Sequence, residues 1–442
     1  MNDLNNILLE LVFILLHFFL FIFNYTISKK KLFSPAALFS LVWVVILVLH
    51  FIFRFTILNQ LFPLHLETYL VLFLGTVSFS IGSLLVASYF EKGNSQHNIQ
   101  LPFKNDVFET SLLLRVIFLA IIIIGLPFYI QAAYRVFLAS NIDNFFVGLR
   151  IELSYGDEDI GITKYLTSLS FVVFAINYYV LLRQKNKLNT WLVVISFIAA
   201  LVYSIFATGR TYFFMILSIY LGINYLLNKK LLLKKYLWPL LIFILLFMSI
   251  GIIYNKGGNT EDTLIENLHS SSETTAVYLV SSLNAFDLEL SKNVKAQYPG
   301  ENTLLFFVKV LQRFEFLPNT KTGSLVSEFV FVPYPTNVYT FYSPYIRDFG
   351  KIYAWFMIFL FGALHTWLFY KALETKKLRY TLYYSFLLYP LFMSFFQDQY
   401  LSLLSTWLQF IFYIEVFIFI NHLLIKSNKS KPTYTSQHEK AL

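Results

Sequence analysis

The chain has no cysteine, and only 13% of its 442 residues are charged. The first absence excludes disulfides, thiolate nucleophiles and cysteine-ligated zinc. The second excludes an ordinary soluble domain, in which about a quarter of residues carry charge. Histidine is sparse as well. Eight are scattered, none in a ligand spacing such as H-E-x-x-H, so no metal site is expected. G-x-S-x-G, phosphate-loop and kinase signatures are all missing, which removes serine hydrolases and ATP-driven enzymes and leaves no cofactor to expect. Internal repeats and the paired broken helices of transporters are missing too.

What fills the chain instead is hydrocarbon. Hydrophobic residues make up 57%, phenylalanine alone occurs 50 times, and the mean hydropathy is +0.63. Apolar runs long enough to cross a bilayer as helices recur throughout. The reading is an all-α polytopic membrane protein with about eleven spans. They lie near 7–27, 35–53, 67–90, 112–138, 165–182, 190–207, 211–227, 237–254, 352–370, 381–396 and 401–425. The start carries Asp3 and Glu10 rather than a positive leader, and reads as a retained first span.

Charge sets the orientation. One set of connections and the tail from Lys426 hold 20 Lys and Arg; the short connections of the other set hold Arg54, Arg150, Lys164 and Arg210. The first set is therefore expected in the cytoplasm, and the net charge of +9 reflects topology rather than nucleic-acid binding. The chain divides into 1–254 with spans one to eight, a long extracytoplasmic loop at 255–351, spans nine to eleven at 352–425, and a cytoplasmic tail at 426–442.

The long loop has its own pattern. Ala276, Leu279, Val280, Leu283, Phe286 and Leu290 recur at helical spacing. Thr303 to Leu317 places Lys309, Gln312 and Arg313 on one stripe. Both segments read as amphipathic helices at the membrane interface. Five prolines, at 299, 318, 333, 335 and 344, divide the loop into short elements.

Candidate chemistry sits on the same outer face. Arg210 lies in a tight break between two spans. With the following helix N-terminus it forms either an anion site suited to phosphate or an interfacial arginine that snorkels to headgroups. Arg347 and Asp348 close the loop just before the ninth span. They read either as a phosphate ligand with a proton acceptor or as a local ion pair at a helix start. Tyr339, Tyr342, Tyr345, Phe341 and Phe349 read as sugar-stacking rings or as an interfacial aromatic belt. Arg150 stands in another outer loop, where Asp157, Glu158 and Asp159 form a solvated acidic turn. Arg115, Arg135 and the small turn Gln397, Asp398 and Gln399 read as residues at span edges.

Three places in this order of features carry a family likeness: Pro35 to Trp43 (PAALFSLVW) opening the second span after a basic loop, Thr208 to Tyr212 (TGRTY), and the pair Asn337 to Phe341 (NVYTF) with Arg347 to Gly350 (RDFG). In these the chain resembles the Wzy-type oligosaccharide repeat-unit polymerases of O-antigen and capsule synthesis. The resemblance implies a GT-C-like architecture in the bacterial plasma membrane. It implies a metal-independent transfer of a growing glycan from undecaprenyl pyrophosphate to the sugar end of another lipid-linked repeat. Membrane lipids and the lipid-linked oligosaccharides are the implied partners, with a chain-length regulator and a flippase of the same pathway as further candidates. It points to Arg210, Arg347 and Arg150 as ligands of pyrophosphate or glycan. The acceptor hydroxyl needs a base, for which Asp348 is the first candidate and Asp287, Glu289 and Glu315 are alternatives, so Arg210, Arg347 and Asp348 are the catalytic candidates. Arg150, Asn337, Tyr339, Tyr345 and Arg313 are assigned to substrate binding. A ligase that passes finished glycan to a different acceptor, a flippase of lipid-linked oligosaccharide, and a structural membrane scaffold are the competing readings.

Overall fold

A computed structural model describes residues 2–96, 110–156, 158–209, 211–228, 264–317 and 327–429. Arg210 and the eighth expected span, 237–254, lie outside the described residues. The described helices are α1 (Asn2–Ile27), α2 (Pro35–Phe55), α3 (Leu66–Gln96), α4 (Leu112–Ala139), α5 (Phe145–Tyr155), α6 (Tyr165–Arg183), α7 (Lys187–Phe206), α8 (Thr211–Asn228), α9 (Leu264–Ser291), α10 (Leu305–Arg313), α11 (Ser343–Phe349), α12 (Lys351–Thr375), α13 (Leu378–Phe392) and α14 (Leu404–Lys429). A two-residue antiparallel ladder pairs Val330 with Thr336 and Phe331 with Pro335.

Local chemistry starts these helices. Pro35 opens α2 behind an extended Ser34. Asn144 and Asn186 cap α5 and α7 by accepting the backbone N–H three residues on, at 3.1 and 2.7 Å. Nine of the helices are long and apolar enough to cross a membrane. Large apolar side chains such as Ile124, Phe128, Trp191 and Phe412 stand exposed on their outer faces. A soluble protein does not display so much apolar surface, and a bilayer accounts for it. The chain is a polytopic membrane protein.

Four expectations need correcting. The tenth span, placed at 381–396, is α13, whose 15 residues rise about 22 Å. That is shorter than the roughly 30 Å hydrocarbon layer. A turn over 393–403 completes the path to α14. Gln397, Asp398 and Gln399 in this turn are not a surface edge: Asp398 and Gln399 are 3% and 2% exposed. The 276–290 helix is also not an interfacial helix lying free. Its apolar stripe is buried, with Val280, Leu283 and Phe286 fully enclosed, and α9 packs on α2 and α3. The second amphipathic segment is shorter than its expected 303–317. It forms α10, with Leu305 and Val308 buried and Lys309 and Arg313 exposed.

Side-chain contacts sort to the two ends of the bundle. At one end Lys29 pairs with Glu91, Tyr384 donates to Phe33 O and Tyr179 donates to Lys376 O. At the other, Arg54 pairs with Glu10 and Lys351 with Glu67, and α9 to α11 gather there. Helices α3 and α12 form the most extensive pair in the bundle. Their backbones touch because each presents a glycine to the other. A Cβ at Gly82 would sit 2.0 Å from Phe359 O, and one at Gly362 would sit 2.2 Å from Phe79 O. Ser83 Oγ donates to Gly362 O at 3.1 Å in the same crossing.

Valine at Gly82 or Gly362 must push the helices apart, so each variant is expected to lose about 1–3 kcal/mol of stability or more. Thermal unfolding in detergent measures this; an unchanged midpoint for both would contradict the close crossing.

Candidate active site

The site is assembled on α9. Three polar side chains within six residues of this helix each reach a different element. Asn284 Nδ2 donates to Phe62 O at 2.8 Å, and its Oδ1 lies 3.0 Å from His50 Nε2 on α2. Asp287 accepts from His65 N–H and Thr68 Oγ1 at 2.9 and 2.5 Å, with His65 Nδ1 at 2.7 Å, and so holds the start of α3. Glu289 accepts from Ser343 Oγ at 2.9 Å and pairs with Arg347 Nη2 at 2.5 Å, and so holds α11.

The aromatic segment before α11 is driven into the bundle rather than displayed on it. Phe341 and Tyr342 are buried, and Tyr342 packs edge-on to Trp43 at 5.4 Å while donating to Leu72 O at 3.2 Å. Gly75 makes room: a Cβ there would lie 2.1 Å from the Tyr342 ring. The Phe341 N–H donates to Ser394 O at 3.0 Å, tying this segment to the 393–403 turn. Ser282 Oγ on α9 donates to Phe395 O at 2.6 Å and ties the same turn a second time.

These ties bring together a polar cleft lined by Asn302, Tyr339, Ser343, Arg347, Gln397, Asp398 and Ser402, with Leu305, Ser327 and Pro344 completing the wall. Arg347 lies over the Tyr339 ring at 4.9 Å, and its buried Nε has no hydrogen-bond partner among the described residues. Burial on its own lowers the Arg347 pKa. The hydrogen bond and charge of Glu289 outweigh it, so the net shift is upward and the guanidinium stays charged. Asp398 accepts from Tyr345 Oη at 3.0 Å, from the Tyr400 and Ser402 N–H groups at 2.9 and 2.8 Å, and from Ser402 Oγ at 2.7 Å. Burial lifts the Asp398 carboxyl above the usual carboxylate range, against the opposing pull of the Ser402, Tyr400 and Tyr345 donors.

The residues singled out in the sequence fall into distinct places. Arg347 and Tyr339 line the cleft. Asp348 is engaged elsewhere. Its carboxylate accepts from the Asn302 N–H at 3.1 Å and Nδ2 at 2.8 Å, and from Thr303 N–H and Oγ1 at 2.8 and 2.7 Å. These donors clamp Asp348 to the 302–303 turn, and it does not line the cleft, whereas Asp398 does. Tyr345 is fully buried against Phe361, with its hydroxyl spent on Asp398, so its ring has no free face for a sugar. Asn337 is half-buried after the short ladder, Arg313 is exposed at the end of α10, and Arg150 is half-buried on α5. None of these three lines the cleft. Glu289 is the partner of Arg347, and Asp287 holds α3; Glu315 is exposed. Thr208 has a left-handed backbone, φ 55°, between α7 and α8. Asp159 binds the Gly161 N–H and Lys164 at 2.5 and 2.7 Å, as a solvated turn does. Among the described residues no three His, Asp or Glu side chains converge as metal ligands.

Sequence reading did not find Asp398, Ser343 and Ser402 as site residues. Their only sequence signal is a polar group interrupting apolar runs, as in Gln397 to Gln399, and the partners that give it meaning lie some fifty residues away.

Among known proteins, the chain is similar to an O-antigen polymerase of Shigella dysenteriae, with 30% identity over 238 residues, 53% of this chain and 57% of that protein. The matched stretch thus spans little more than half the length of this curated relative. This distant relationship supports the resemblance to the Wzy-type polymerases. No family model matches the chain, and no solved structure matches it.

Glu289→Gln removes the counter-charge of a largely buried guanidinium and is expected to cost about 3 kcal/mol. Adding Arg347→Met should recover part of that loss. A double-mutant cycle by thermal unfolding reads the coupling; strictly additive losses would show that the pair does not hold α11 to α9.

Proposed function

We propose that this chain joins lipid-pyrophosphate-linked oligosaccharide repeat units into a surface polysaccharide on the outer face of the bacterial plasma membrane, with a GT-C-like arrangement and no metal in the transfer step. The relative's name, O-antigen polymerase, supports this reading. So does the cleft, which gathers Arg347, Asp398 and neutral hydrogen-bonding groups at one end of a membrane bundle. The observation that carries it is that one polar cleft is lined by a fixed guanidinium, Arg347, and a buried carboxylate, Asp398.

The chemistry asked of such a site is modest. A glycosyl pyrophosphate already has a good leaving group. Breaking the bond between the anomeric carbon and the phosphate oxygen builds negative charge on the departing pyrophosphate. In the proposal, Arg347 and Arg210 stabilise that charge, and planar guanidinium suits phosphate oxygens better than a lysine does. The acceptor hydroxyl forms the new bond to the anomeric carbon and gives its proton to Asp398. This replaces Asp348 as the proton acceptor; Asp348 acts by holding the Asn302–Thr303 turn against α11. Asn302, Gln397 and Ser402 offer donors and acceptors to sugar hydroxyls, and Tyr339 offers a ring edge beside Arg347. Arg150, Asn337 and Arg313 serve, in this reading, glycan further from the reacting carbon. Tyr345 acts through Asp398, whose carboxylate it positions.

A host lacking this chain is expected to accumulate single lipid-linked repeats and lose polymer, as read from the size ladder of surface glycan. Polymer that is still made but stays on its carrier would identify a ligase instead, and repeats trapped on the inner face would identify a flippase. Restoring the chain with Arg210→Ala should leave single repeats only, and Arg347→Lys should slow polymerisation by about 10²–10³-fold. Normal chain lengths in both variants would overturn the anion role.

The pH profile follows from Asp398. The carboxyl must be ionised to accept a proton, and burial raises its pKa. Activity is therefore expected to fall as the medium is acidified, beginning above the ordinary carboxylate range. Asp398→Asn should remove that acid limb along with most of the rate, whereas Asp348→Asn should lower stability and leave the limb in place. An unchanged limb in Asp398→Asn would assign the base to another group.

A further inference from the structure

A second cavity lies directly beside the polar cleft and has the opposite character. It holds about 370 Å³ between α12, α13 and α14, includes the exposed side chains of Leu364, Trp367 and Ile411 in its lining, and has an almost wholly apolar wall. Phe361, Trp367, Phe386, Trp407 and Phe410 give it broad aromatic sides. The turn over 393–403 and the start of α14 form the partition. Asp398 and Ser402 face the cleft, while Tyr400, Leu401 and Leu404 line the cavity. Tyr400 is fixed in this wall by stacking on Phe361 at 4.1 Å and by a hydrogen bond between its hydroxyl and His365 Nε2 at 2.9 Å. Leu368 lies seventeen residues into α12, so the cavity reaches roughly 25 Å below the end of the bundle that bears the cleft.

We propose that this cavity seats the isoprenoid chain of the donor, and that the polar cleft beside it therefore receives the donor's pyrophosphate and its first sugar. The inference rests on the polymerase reading and deepens it. Two lipid-linked substrates meet in that reaction, and only one of them needs its lipid near the reacting atoms. In the donor the anomeric carbon is bonded directly to the pyrophosphate, so the tail begins a few atoms from the bond that breaks. In the acceptor the reacting hydroxyl is at the far end of the repeat from its carrier. An apolar seat separated from the cleft by one turn of chain fits the first arrangement and not the second. Broad aromatic walls also suit a branched, methyl-bearing isoprenoid better than a slender straight acyl chain, which leaves lateral gaps and forfeits contacts.

The cavity carries its own reporters, since two of the chain's six tryptophans, Trp367 and Trp407, line it. The test is titration of the purified full-length protein in nanodiscs with undecaprenyl pyrophosphate, followed by tryptophan emission. A saturable change is expected that phosphatidylglycerol does not compete away and that Trp407→Phe diminishes. Leu364→Trp and Ile411→Trp narrow the cavity from its lipid-facing rim and should raise Kd by about tenfold or more. Phe412→Trp, exposed on the neighbouring face of α14 and outside the lining, should leave Kd unchanged. With a water-soluble acceptor glycan, the narrowed variants should raise KM for the lipid-linked donor while kcat holds. Equal competition by phosphatidylglycerol, or a Kd indifferent to narrowing, would overturn the assignment. Binding as expected in a protein that never forms polymer would instead leave the isoprenoid seat standing and remove the polymerase reading.

Discussion

The structure depends on keeping polar side chains satisfied inside an apolar bundle, and α9 is where that constraint is met. A buried carboxylate or amide without a partner costs several kcal/mol, so each must find one in another element. Asn284, Asp287 and Glu289 find theirs in α2, the start of α3 and α11. Behind Asn284 the network continues through His50 to Glu10 at 2.8 Å and on to Arg54 at 2.8 Å, so even α1 is fastened to this spine. Net stabilisation from buried ion pairs is small, but the cost of breaking them is large. The consequence is a single arrangement of the elements that bear the cleft.

That arrangement explains why a polar cleft and an apolar cavity share one wall. Helix α13 is too short to finish its crossing, and the chain between it and α14 folds back into the bundle as a buried turn. Ser282 and Phe341 pin the turn from one side, and Asp398 organises it from within by binding the Tyr400 and Ser402 N–H groups. The same residues therefore stop the membrane helix, shape the cleft and present Tyr400 and Leu401 to the cavity. In the function we propose, a substrate with a charged head and a branched apolar tail meets both surfaces at once.

Much of the architecture was legible in the sequence because bilayer crossing is a local property. Runs such as Pro35–Phe55 and Leu112–Ala139 announce themselves by length and composition. The helical stripe of Ala276 to Leu290 was readable for the same reason, although its burial was not, because a stripe gives no hint of what covers it. The cleft was only partly readable. Arg347 stood out as an arginine beside a membrane span, and it lines the cleft. Asp348 stood out for the same reason, yet it faces Asn302 and Thr303, some 45 residues back in the chain. Tyr345 looked like a sugar platform, but an aromatic ring reads the same whether it packs on Phe361 or waits for ligand. Asp398 reads as an edge residue in the sequence because its depth comes from tertiary contacts with Tyr345 and with the folded-back turn. Residue type suggests what a side chain can do, while its partners, distant in sequence, determine what it does.

The function we propose for this bundle is transfer of glycan from one lipid pyrophosphate to another lipid-linked repeat. The most direct test supplies purified protein in vesicles with a single species of lipid-linked repeat and measures polymer and freed undecaprenyl pyrophosphate together. A ladder of lengthening glycans is expected, with one carrier pyrophosphate released for each new glycosidic bond, and both are lost in Asp398→Asn. Intact repeats with no ladder, or carrier release without bond formation, would contradict it.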